Sequence, residues 1–386
     1  MIGTAEQIVF WTCVGLLAYV YLGYPVLVYI VSRLLPRSVK SGEIEPSVTV
    51  LITAFNEEAA IRGKILNTLE IDYPTEKLEI LIASDGSTDR TDEIVKEYSG
   101  QGVKLFRQEG RVGKTMTQNN AVEQASGDII LFSDATTHYH EDVFRFILPA
   151  FADDTVGCVA GRLVYLNEDQ SNVGKGARRY WGYETFLKIA ESRACSLIGA
   201  SGCLYAVRKS AYEPMYPEAC SDFLICMSIY RKDLRSVFAP DAVCYEHTNR
   251  KANDELRMRV RVISQTFTDL WRNRDMLNPL KSGFFAVEVF SHKVLRYAVP
   301  FILFVLFGSN VMLAGSSIFY DSVLTVQVLF YSLALAGWIL ERAGRRLSLL
   351  ALPLYFVLAN LASLLAFYKF LRGETYARWE PIRETR

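Results

Sequence analysis

Asp134 is the first candidate for chemistry, because it follows an apolar run and is flanked by small residues. The run Ile129-Ile130-Leu131-Phe132 leads directly into Ser133-Asp134-Ala135-Thr136-Thr137. Such a run predicts a strand buried on both faces, as in an α/β sheet. A carboxylate at the carboxyl end of that strand would lie where open α/β sheets bind ligands. Taken alone, the stretch favours a helix N-cap, so a ligand role needs support from elsewhere in the chain.

A second polar turn, Ser84-Asp85-Gly86-Ser87-Thr88-Asp89, follows the apolar residues 78–83. An ionised Asp85 accepts hydrogen bonds only, which suits the donor groups of a nucleobase or a ribose. Gly86 would let the backbone approach a ligand closely. The same turn could simply begin a helix with a cap at Ser87, Thr88 or Asp89. The turn itself supports the two interpretations equally.

A glycine-rich basic turn, Glu109-Gly110-Arg111-Val112-Gly113-Lys114, precedes a helical pattern that contains Asn119 and reaches Ala125. Basic residues ahead of a helix N-terminus form a suitable anion site. The turn is not a Walker A loop, because the G-x-x-x-x-G-K-[ST] spacing is absent. On its own, the turn is better explained as an exposed basic loop.

The elements that must position these residues alternate between strand and helix. Strands are predicted at 47–55, 78–83, 103–106 and 129–132, with helical patterns between them. This alternation predicts a parallel sheet with right-handed crossovers. The ends of its strands meet at one edge of the sheet, which would bring three groups together. They are Phe55-Asn56-Glu57, Ser84-Asp85 and Asp134.

Four charge-free stretches flank this part of the chain: Ile8–Ser32, Tyr297–Tyr320, Ser322–Leu340 and Leu347–Tyr368. Each is long enough to cross about 30 Å of hydrocarbon. The first is too long for a cleaved signal peptide and has no basic residue before it. We therefore expect one helix, a soluble domain of about 250 residues, and three further helices.

Basic residues indicate the orientation of these helices. Arg33, Arg37 and Lys40 follow the first stretch, which predicts an external N-terminus and a cytoplasmic domain. Three crossings after the domain would put the basic tail outside, in conflict with the same rule. Pro353 and Asn360 could break the last stretch into a re-entrant or hairpin form.

Charge and cysteine content exclude some functions. The chain has 42 basic and 42 acidic residues, which does not indicate a nucleic-acid-binding surface. Its seven cysteines form no C-x-x-C pair and show no zinc-type spacing. A reducing cytoplasm fits this pattern.

The order of the motifs resembles the membrane-anchored family 2 glycosyltransferases of the polysaccharide-synthase-like branch, which have the GT-A fold. The resemblance covers roughly residues 46–271. The matching segments are Ala54-Phe55-Asn56-Glu57-Glu58, Ser84-Asp85-Gly86-Ser87-Thr88-Asp89, Gly113-Lys114 with Asn119, Gly127-Asp128 and Ser133-Asp134-Ala135.

The resemblance implies an inverting transfer from a nucleotide-diphosphate sugar. Asp85 would contact the nucleoside, and Asp134 would bind Mg²⁺ or Mn²⁺ at the diphosphate. The usual D-x-D is incomplete, because Thr136 stands where the second acid would be. Oxygen ligands suit both cations, and phosphate oxygens can complete the coordination shell. His247 would be a further metal ligand by analogy with some GT-A enzymes, although a role outside the metal shell is favoured. The other donor-site residues implied are Phe55, Asn56, Glu57, Lys114 and Asn119.

The second half of the resemblance concerns the acceptor and the base. The segment from Gly199 to Arg208 resembles the part of the family that lies beside the acceptor, with a close-packed strand as the alternative. Asp222 lies where the family places its catalytic base, although Ser221 replaces the first acid of the usual pair. A helix cap is the alternative for Asp222. The base must be a carboxylate that takes the proton of the acceptor hydroxyl.

Arginines near the end of the domain would help the leaving group. In the family, basic residues in this region neutralise the departing diphosphate, a role that Arg259 and Arg261 would have here. A basic helix near lipid headgroups is the alternative, for Arg257 in particular. The Q-x-x-R-W motif of processive synthases is not intact at Gln265, so long-chain processivity is not supported.

We therefore expect an α/β protein, a GT-A domain with a Rossmann-like mixed sheet flanked by transmembrane helices. The expected parts are an anchor at 1–40, the cytoplasmic GT-A domain at 41–275, an interfacial amphipathic helix at 276–293, and a C-terminal transmembrane region of about three helices with a basic tail at 294–386. It would move a sugar from a UDP- or GDP-linked donor to a lipid-linked or growing polysaccharide acceptor at the inner membrane. Nucleotidyl transfer and a non-catalytic nucleotide-sugar-binding subunit are the alternatives.

Overall fold

The computed structural model describes residues 4–166, 172–246, 252–343, 345 and 347–378. The described strands are β1 (Val48–Ala54), β2 (Leu78–Ser84), β3 (Val103–Arg107), β4 (Ile129–Asp134), β5 (His138–Tyr139), β6 (Val156–Tyr165), β7 (Tyr205–Arg208) and β8 (Arg235–Glu246). The described α-helices are α1 (Thr4–Ala18), α2 (Tyr24–Leu34), α3 (Ile61–Leu69), α4 (Thr91–Glu97), α5 (Lys114–Gln124), α6 (Val143–Ile147), α7 (Asn172–Ala194), α8 (Ser221–Arg231), α9 (Ala252–Arg272), α10 (Pro279–Ser282), α11 (Phe284–Val289), α12 (Arg296–Met312), α13 (Ile318–Arg342) and α14 (Ala351–Leu371).

The strands form one mixed sheet in the order β3-β2-β1-β4-β7-β6-β8-β5. The first four run parallel, and β7 is antiparallel to both of its neighbours, β4 and β6. The register pairs Thr53 with Asp134 and Ala54 with Ser84. The polar ends of β1, β2 and β4 therefore lie at the same edge, which confirms the expected mixed α/β sheet and its parallel half.

Both faces of the central strands are buried, as their continuous apolar sequences predict. Along β1, Val50 and Ile52 face one hydrophobic cluster, which includes Ile61 and Ile65 of α3. Leu51 points the opposite way, into a second cluster with residues of α5 and α8. The sheet thus lies between two layers of helix, and its strand ends are held rigidly.

Four helices of the described chain are long and apolar enough to cross a membrane. They are Thr4–Leu34, Phe284–Met312, Ile318–Arg342 and Ser348–Leu371. The second begins at Phe284 rather than Tyr297, because the predicted amphipathic segment continues into it through a π-helical turn at Phe290–Leu295. It also ends before Tyr320, since Gly315 adopts a positive φ of 77° and Ser317 caps the next helix.

The last apolar helix, α14, packs against α9. Ala362 and Ala366 lie in a cluster with Val260 and Ile263 of α9, where small side chains allow close approach of the two helices. Beyond α14, the amide Nε2 of Gln265 donates to the carbonyl oxygen of Tyr376 at 3.2 Å. The tail therefore returns to the side of the molecule that carries the mixed sheet.

A buried charged cluster joins α7 to the apolar helices. The two ring nitrogens of His292 lie 2.6 Å from Glu191 and 3.2 Å from Glu184. Tyr24 donates to Glu191 at 2.5 Å, and Arg296 donates to Glu184 at the same distance. Burial would raise the pKa of Glu184, but Arg296 and His292 hold it well below its usual range. Buried charges are tolerated only when paired in this way, so the cluster fixes α7 against these helices.

Candidate active site

Asp134 and Lys114 meet at the open edge of the sheet. Asp134 is the last residue of β4, and Lys114 is the first residue of α5, after Gly113 at a φ of 97°. The Lys114 ammonium contacts the Asp134 carboxylate directly, and both side chains are partly exposed. This ion pair lies at the edge of the sheet where the polar ends of β1, β2 and β4 meet, which we call the crevice.

Asp222 approaches the same centre from the first turn of α8. Its Oδ2 accepts a hydrogen bond from the backbone N–H of Gly202 at 3.0 Å, and its Oδ1 lies 3.1 Å from the Cys220 thiol. A Cβ placed on Gly202 would lie 3.5 Å from both Asp222 Oδ2 and Lys114 Nζ, and 3.8 Å from Asp134 Oδ2. Gly202 is therefore the point around which the three charged groups converge.

Asp85 is buried, and its carboxylate binds the chain itself. It accepts hydrogen bonds from the N–H of Val112 at 2.8 Å, from the N–H of Gly113 at 3.0 Å and from the hydroxyl of Thr117 at 3.0 Å. These bonds fasten the turn between β3 and α5 and so place Lys114. The nucleoside contact of Asp85 stays a prediction.

The turns after β1 and β2 are tied together. Asn56 adopts a positive φ of 53°, and its side-chain oxygen accepts from the N–H of Thr88 at 2.7 Å. The N–H of Glu57 donates to the Thr91 hydroxyl at 2.7 Å. The guanidinium of Arg111 stacks 3.9 Å from the centre of the Phe55 ring. Phe55, Asn56 and Glu57 thus form one wall of the crevice next to Asp85.

Asn119 is buried and faces the segment before α8. Its amide donates to the carbonyl of Met215 at 2.7 Å and accepts from the Tyr212 hydroxyl at 2.8 Å. It therefore joins α5 to the acceptor half of the domain. Its role at the donor site stays a prediction.

The two arginines of α9 have different surroundings. Arg259 donates to Glu255 at 2.8 Å, and its guanidinium lies 4.7 Å from the centre of the Tyr355 ring of α14. Arg261 lies within electrostatic reach of Asp134 and Asp222. Burial lowers its pKa, and nearby groups, the two carboxylates among them, oppose that effect. The structure therefore brings Arg261 towards the crevice and packs Arg259 against α14.

The sequence reasoning missed two residues at this edge. Glu246, the last residue of β8, accepts a hydrogen bond from the Thr136 hydroxyl at 2.9 Å. Lys64 is fully buried in α3 and donates to Ser133 Oγ at 2.8 Å and to the carbonyl of Thr137 at 2.7 Å. Burial lowers its pKa to about 7. Glu246 directly precedes His247 and follows the largely apolar run Ala242-Val243-Cys244-Tyr245, which was a usable signal, whereas nothing local marked Lys64.

Comparison with known proteins identifies the domain. Residues 49–215 match the family model described as glycosyl transferase family 2. The chain carries a family 2 glycosyltransferase domain. This finding confirms the resemblance seen in the sequence.

Relatives of the glycosyltransferase domain differ in how much of the chain they share. The probable glycosyltransferase YdaM of Bacillus subtilis is 25% identical over 319 residues, which cover 79% of this chain and 71% of that protein. The beta-monoglucosyldiacylglycerol synthase of Synechocystis is 36% identical over 128 residues, which cover 32% of this chain and 26% of that protein. The second likeness therefore covers only about a third of this chain.

A solved structure confirms the fold of the glycosyltransferase. The mannosyltransferase PcManGT from Pyrobaculum calidifontis, in complex with GDP-Man and Mn²⁺, superposes with a TM-score of 0.72. It is 21% identical and covers 95% of this chain and 99% of that chain. At this identity the likeness establishes the GT-A fold alone.

The donor atoms of the crevice fit a hard divalent cation. Asp134 offers carboxylate oxygens, and the carboxylate of Glu246 lies beside Thr136, two residues further on. Hard cations such as Mg²⁺ and Mn²⁺ prefer such ligands. Within the described residues, no group of three or more His, Cys, Asp or Glu side chains could hold a metal by itself. Oxygens of the substrate would have to complete the shell. His247 lies outside the described residues.

Proposed function

We propose that this chain is an inverting glycosyltransferase that moves a sugar from a nucleotide-diphosphate sugar to a lipid-linked or growing glycan acceptor. The convergence of Asp134, Lys114 and Asp222 around Gly202 carries the proposal. Each of the three groups lies within 4 Å of the point that a Cβ on Gly202 would occupy. A transfer reaction needs these groups on opposite sides of one sugar carbon.

Asp222 acts as the general base. It takes the proton of the acceptor hydroxyl while the hydroxyl oxygen attacks the anomeric carbon. The bond from that carbon to the diphosphate oxygen breaks, and its electron pair leaves with the diphosphate. A single displacement from the opposite face inverts the configuration. The N–H of Gly202 holds Oδ2 of Asp222 in place for this step.

Cationic groups stabilise the negative charge that develops on the leaving diphosphate. Lys114 lies at the N-terminus of α5, where backbone N–H groups and the helix dipole also favour an anion. Arg261 approaches from α9. Asp134 would hold a Mg²⁺ or Mn²⁺ ion, which when bound supplies Lewis-acid stabilisation of the diphosphate. Such stabilisation of developing charge supplies much of the rate enhancement in enzymes of this kind.

Four long apolar helices support a reaction at a membrane. We infer that the enzyme is a multi-pass protein of the inner membrane with its catalytic domain in the cytoplasm. Arg33, Arg37 and Lys40 after the first span support this orientation. A glycolipid synthase among the relatives supports an acceptor that lies close to the lipid.

Replacement of Asp222 by Asn tests the proposal. Purified Asp222→Asn should keep donor binding and lose transfer by roughly 10²- to 10⁴-fold, because an amide cannot accept the proton. The assay follows release of nucleoside diphosphate and the mass of the glycan product, with a panel of UDP- and GDP-sugars and with Mg²⁺, Mn²⁺ or a chelator. An undiminished rate would exclude Asp222 as the base.

Asp233→Asn is the matched control for this experiment. Asp233 is exposed just after α8, and its positive φ of 58° is one that asparagine tolerates well. Its activity should equal that of the wild type.

Two other outcomes of the assay would indicate the alternative functions. Release of pyrophosphate would indicate nucleotidyl transfer. Donor binding without turnover under any metal would indicate a non-catalytic subunit. Thr136 and Ser221 stand where the family has acids, which is the reason to test this alternative.

A further inference from the structure

We propose that Glu246 supplies the second carboxylate of the metal–diphosphate site, in place of the side chain at position 136. The inference rests on the proposed function, since it assigns a further residue to the same donor site. It explains how a domain with an incomplete D-x-D motif could still hold a divalent cation with two carboxylates.

Strand pairing brings Glu246 to the D-x-D position. Strand β5 is antiparallel to β8, and His138 pairs with Tyr245. Thr137 directly precedes β5 and Glu246 directly follows Tyr245, so continuing this antiparallel register by one residue would set the two opposite each other. The Thr136 hydroxyl, one residue further, donates to Oε1 of Glu246 at 2.9 Å. A carboxylate from a distant strand thus lies within hydrogen-bond distance of the side chain that replaces the family acid.

The other oxygen of Glu246 is directed towards the catalytic centre. Its Oε2 lies 3.3 Å from the thiol of Cys203, which follows Gly202 directly. Cys203 is joined to β4 as well, because its carbonyl accepts from Ser133 Oγ at 3.1 Å. Glu246 is therefore bound to both segments that frame Asp134.

The charges around Gly202 call for an additional cation once a diphosphate enters. The described residues at this edge include three carboxylates, of Asp134, Asp222 and Glu246. They also include three basic side chains, of Lys64, Lys114 and Arg261. A diphosphate bound among these carboxylates would bring further negative charge and would need a counter-charge. A divalent cation between the carboxylates and the phosphates supplies it.

The threonine at position 136 fits this arrangement. A hydroxyl donates to Glu246, whereas an aspartate there would place two carboxylates within hydrogen-bond distance of each other. Like charges so close cannot both ionise without a large cost. The loss of the acid at position 136 and the presence of the acid at position 246 are thus physically linked.

Replacement of Glu246 by Gln distinguishes a metal-ligand role of this residue from a purely structural role. The amide oxygen of glutamine can still accept the hydrogen bond of Thr136, so a purely structural role survives the change. A metal-ligand role would not survive the change, because the negative charge of the carboxylate is lost. We expect the affinity of the full-length protein for Mn²⁺, measured by electron paramagnetic resonance or calorimetry with UDP or GDP present, to fall at least about tenfold.

A second variant tests the exchange of positions directly. Thr136→Asp combined with Glu246→Gln restores two carboxylates at the site, so its Mn²⁺ affinity should return to within about threefold of the wild type, a difference of under 1 kcal/mol. Asp241→Asn, on an exposed position of the same strand, should bind Mn²⁺ as the wild type does. Thermal unfolding of each variant shows whether the fold is kept.

Two results would overturn the assignment. Wild-type Mn²⁺ affinity in Glu246→Gln would show that the carboxylate is not a ligand. Failure of Thr136→Asp to restore the affinity would show that Glu246 does not stand in for position 136. Both results are distinct from a failure of the proposed function, in which the wild-type protein itself would release no nucleoside diphosphate in the transfer assay.

Discussion

At the scale of single residues, Gly202 matters because it has no side chain. Its N–H holds Asp222, and its Cα faces the space between Asp222, Lys114 and Asp134. A substrate atom in this space would lie close to both Asp222 and Lys114. The absence of a Cβ keeps the space open, while the backbone N–H of the same residue orients Asp222, the proposed base.

Gly202→Ala should impair transfer without unfolding the protein. The added methyl would lie at ordinary contact distances of 3.5–3.8 Å, so the free energy of unfolding should change by less than about 1 kcal/mol. The methyl occupies the space of the reacting groups, and a displacement of about 1 Å costs roughly 100-fold in rate. Steady-state transfer and thermal unfolding measure the two effects.

Gly100→Ala, at an exposed position outside the candidate site, is the control. Its methyl would have no neighbour within 4 Å beyond the adjacent part of the chain, and none of the three charged groups near it. Its transfer rate should stay close to that of the wild type. Equal rates for the two alanine variants would contradict the role given to Gly202.

At the scale of elements, α9 fixes the start of α8. The carboxylate of Asp269 accepts from the N–H of Cys220 at 3.0 Å and from the hydroxyl of Tyr216. Cys220 lies just before α8, two residues ahead of Asp222. One buried side chain of α9 therefore determines where the helix with the candidate base begins.

Asp269 should make the stability of the protein depend on pH. Burial raises the pKa of Asp269 to about 8 from an ordinary value of 3.8. The folded state thus holds one more proton than the unfolded state between these values. The resulting stabilisation is complete below pH 4 and is lost as pH rises through about 8.

Asp269→Asn should remove this dependence, because the amide does not titrate. Thermal unfolding between pH 5 and pH 9 should show a steeper fall in melting temperature for the wild type than for the variant. Asp241→Asn, at an exposed position, should retain the slope of the wild type. Equal slopes for the wild type and Asp269→Asn would contradict the prediction.

At the scale of the whole molecule, α14 connects the apolar helices to the catalytic domain. It packs on α9, contacts Arg259 through Tyr355, and leads to a tail whose Ala377 backbone lies against Gly113. We expect Phe284–Met312 and Ile318–Arg342 to cross the membrane as a hairpin, which would return the chain to the side of the domain. With α14 packed on α9, the basic tail would then stay on that side without a third full crossing.

Labelling of single cysteines tests this topology. The seven native cysteines are buried, so a new exposed cysteine gives the dominant signal. Thr375→Cys, in the tail, should react with a membrane-impermeant maleimide only after cells are permeabilised. Ser316→Cys, in the turn between two spans, should react in intact cells, and both positions are exposed in the structure. Asp233→Cys reports the side of the catalytic domain. Reaction of Thr375→Cys together with Ser316→Cys would show that α14 crosses the membrane.

The sequence by itself determined the strand–helix alternation, the polar strand ends and the apolar spans. Each of these features is encoded in contiguous residues, since hydrophobic period and turn residues act over a few positions. Asp134 and Asp85 could be recognised as candidate ligand-binding residues because each follows a largely apolar run that predicts a strand. Asp222 required the family resemblance, because its own surroundings fit a helix cap equally well.

The tertiary structure alone decided which groups meet. Glu246 lies 110 residues from Thr136, and the partners of Asp85 at Val112 and Gly113 are 27 and 28 residues away. Strand register and loop closure bring such groups together, and no local pattern reports either of them. The packing of α14 against α9 was likewise decided only by the tertiary structure. An apolar helix can be buried in a bilayer or against protein, and its sequence does not show which helix its small residues will pack against.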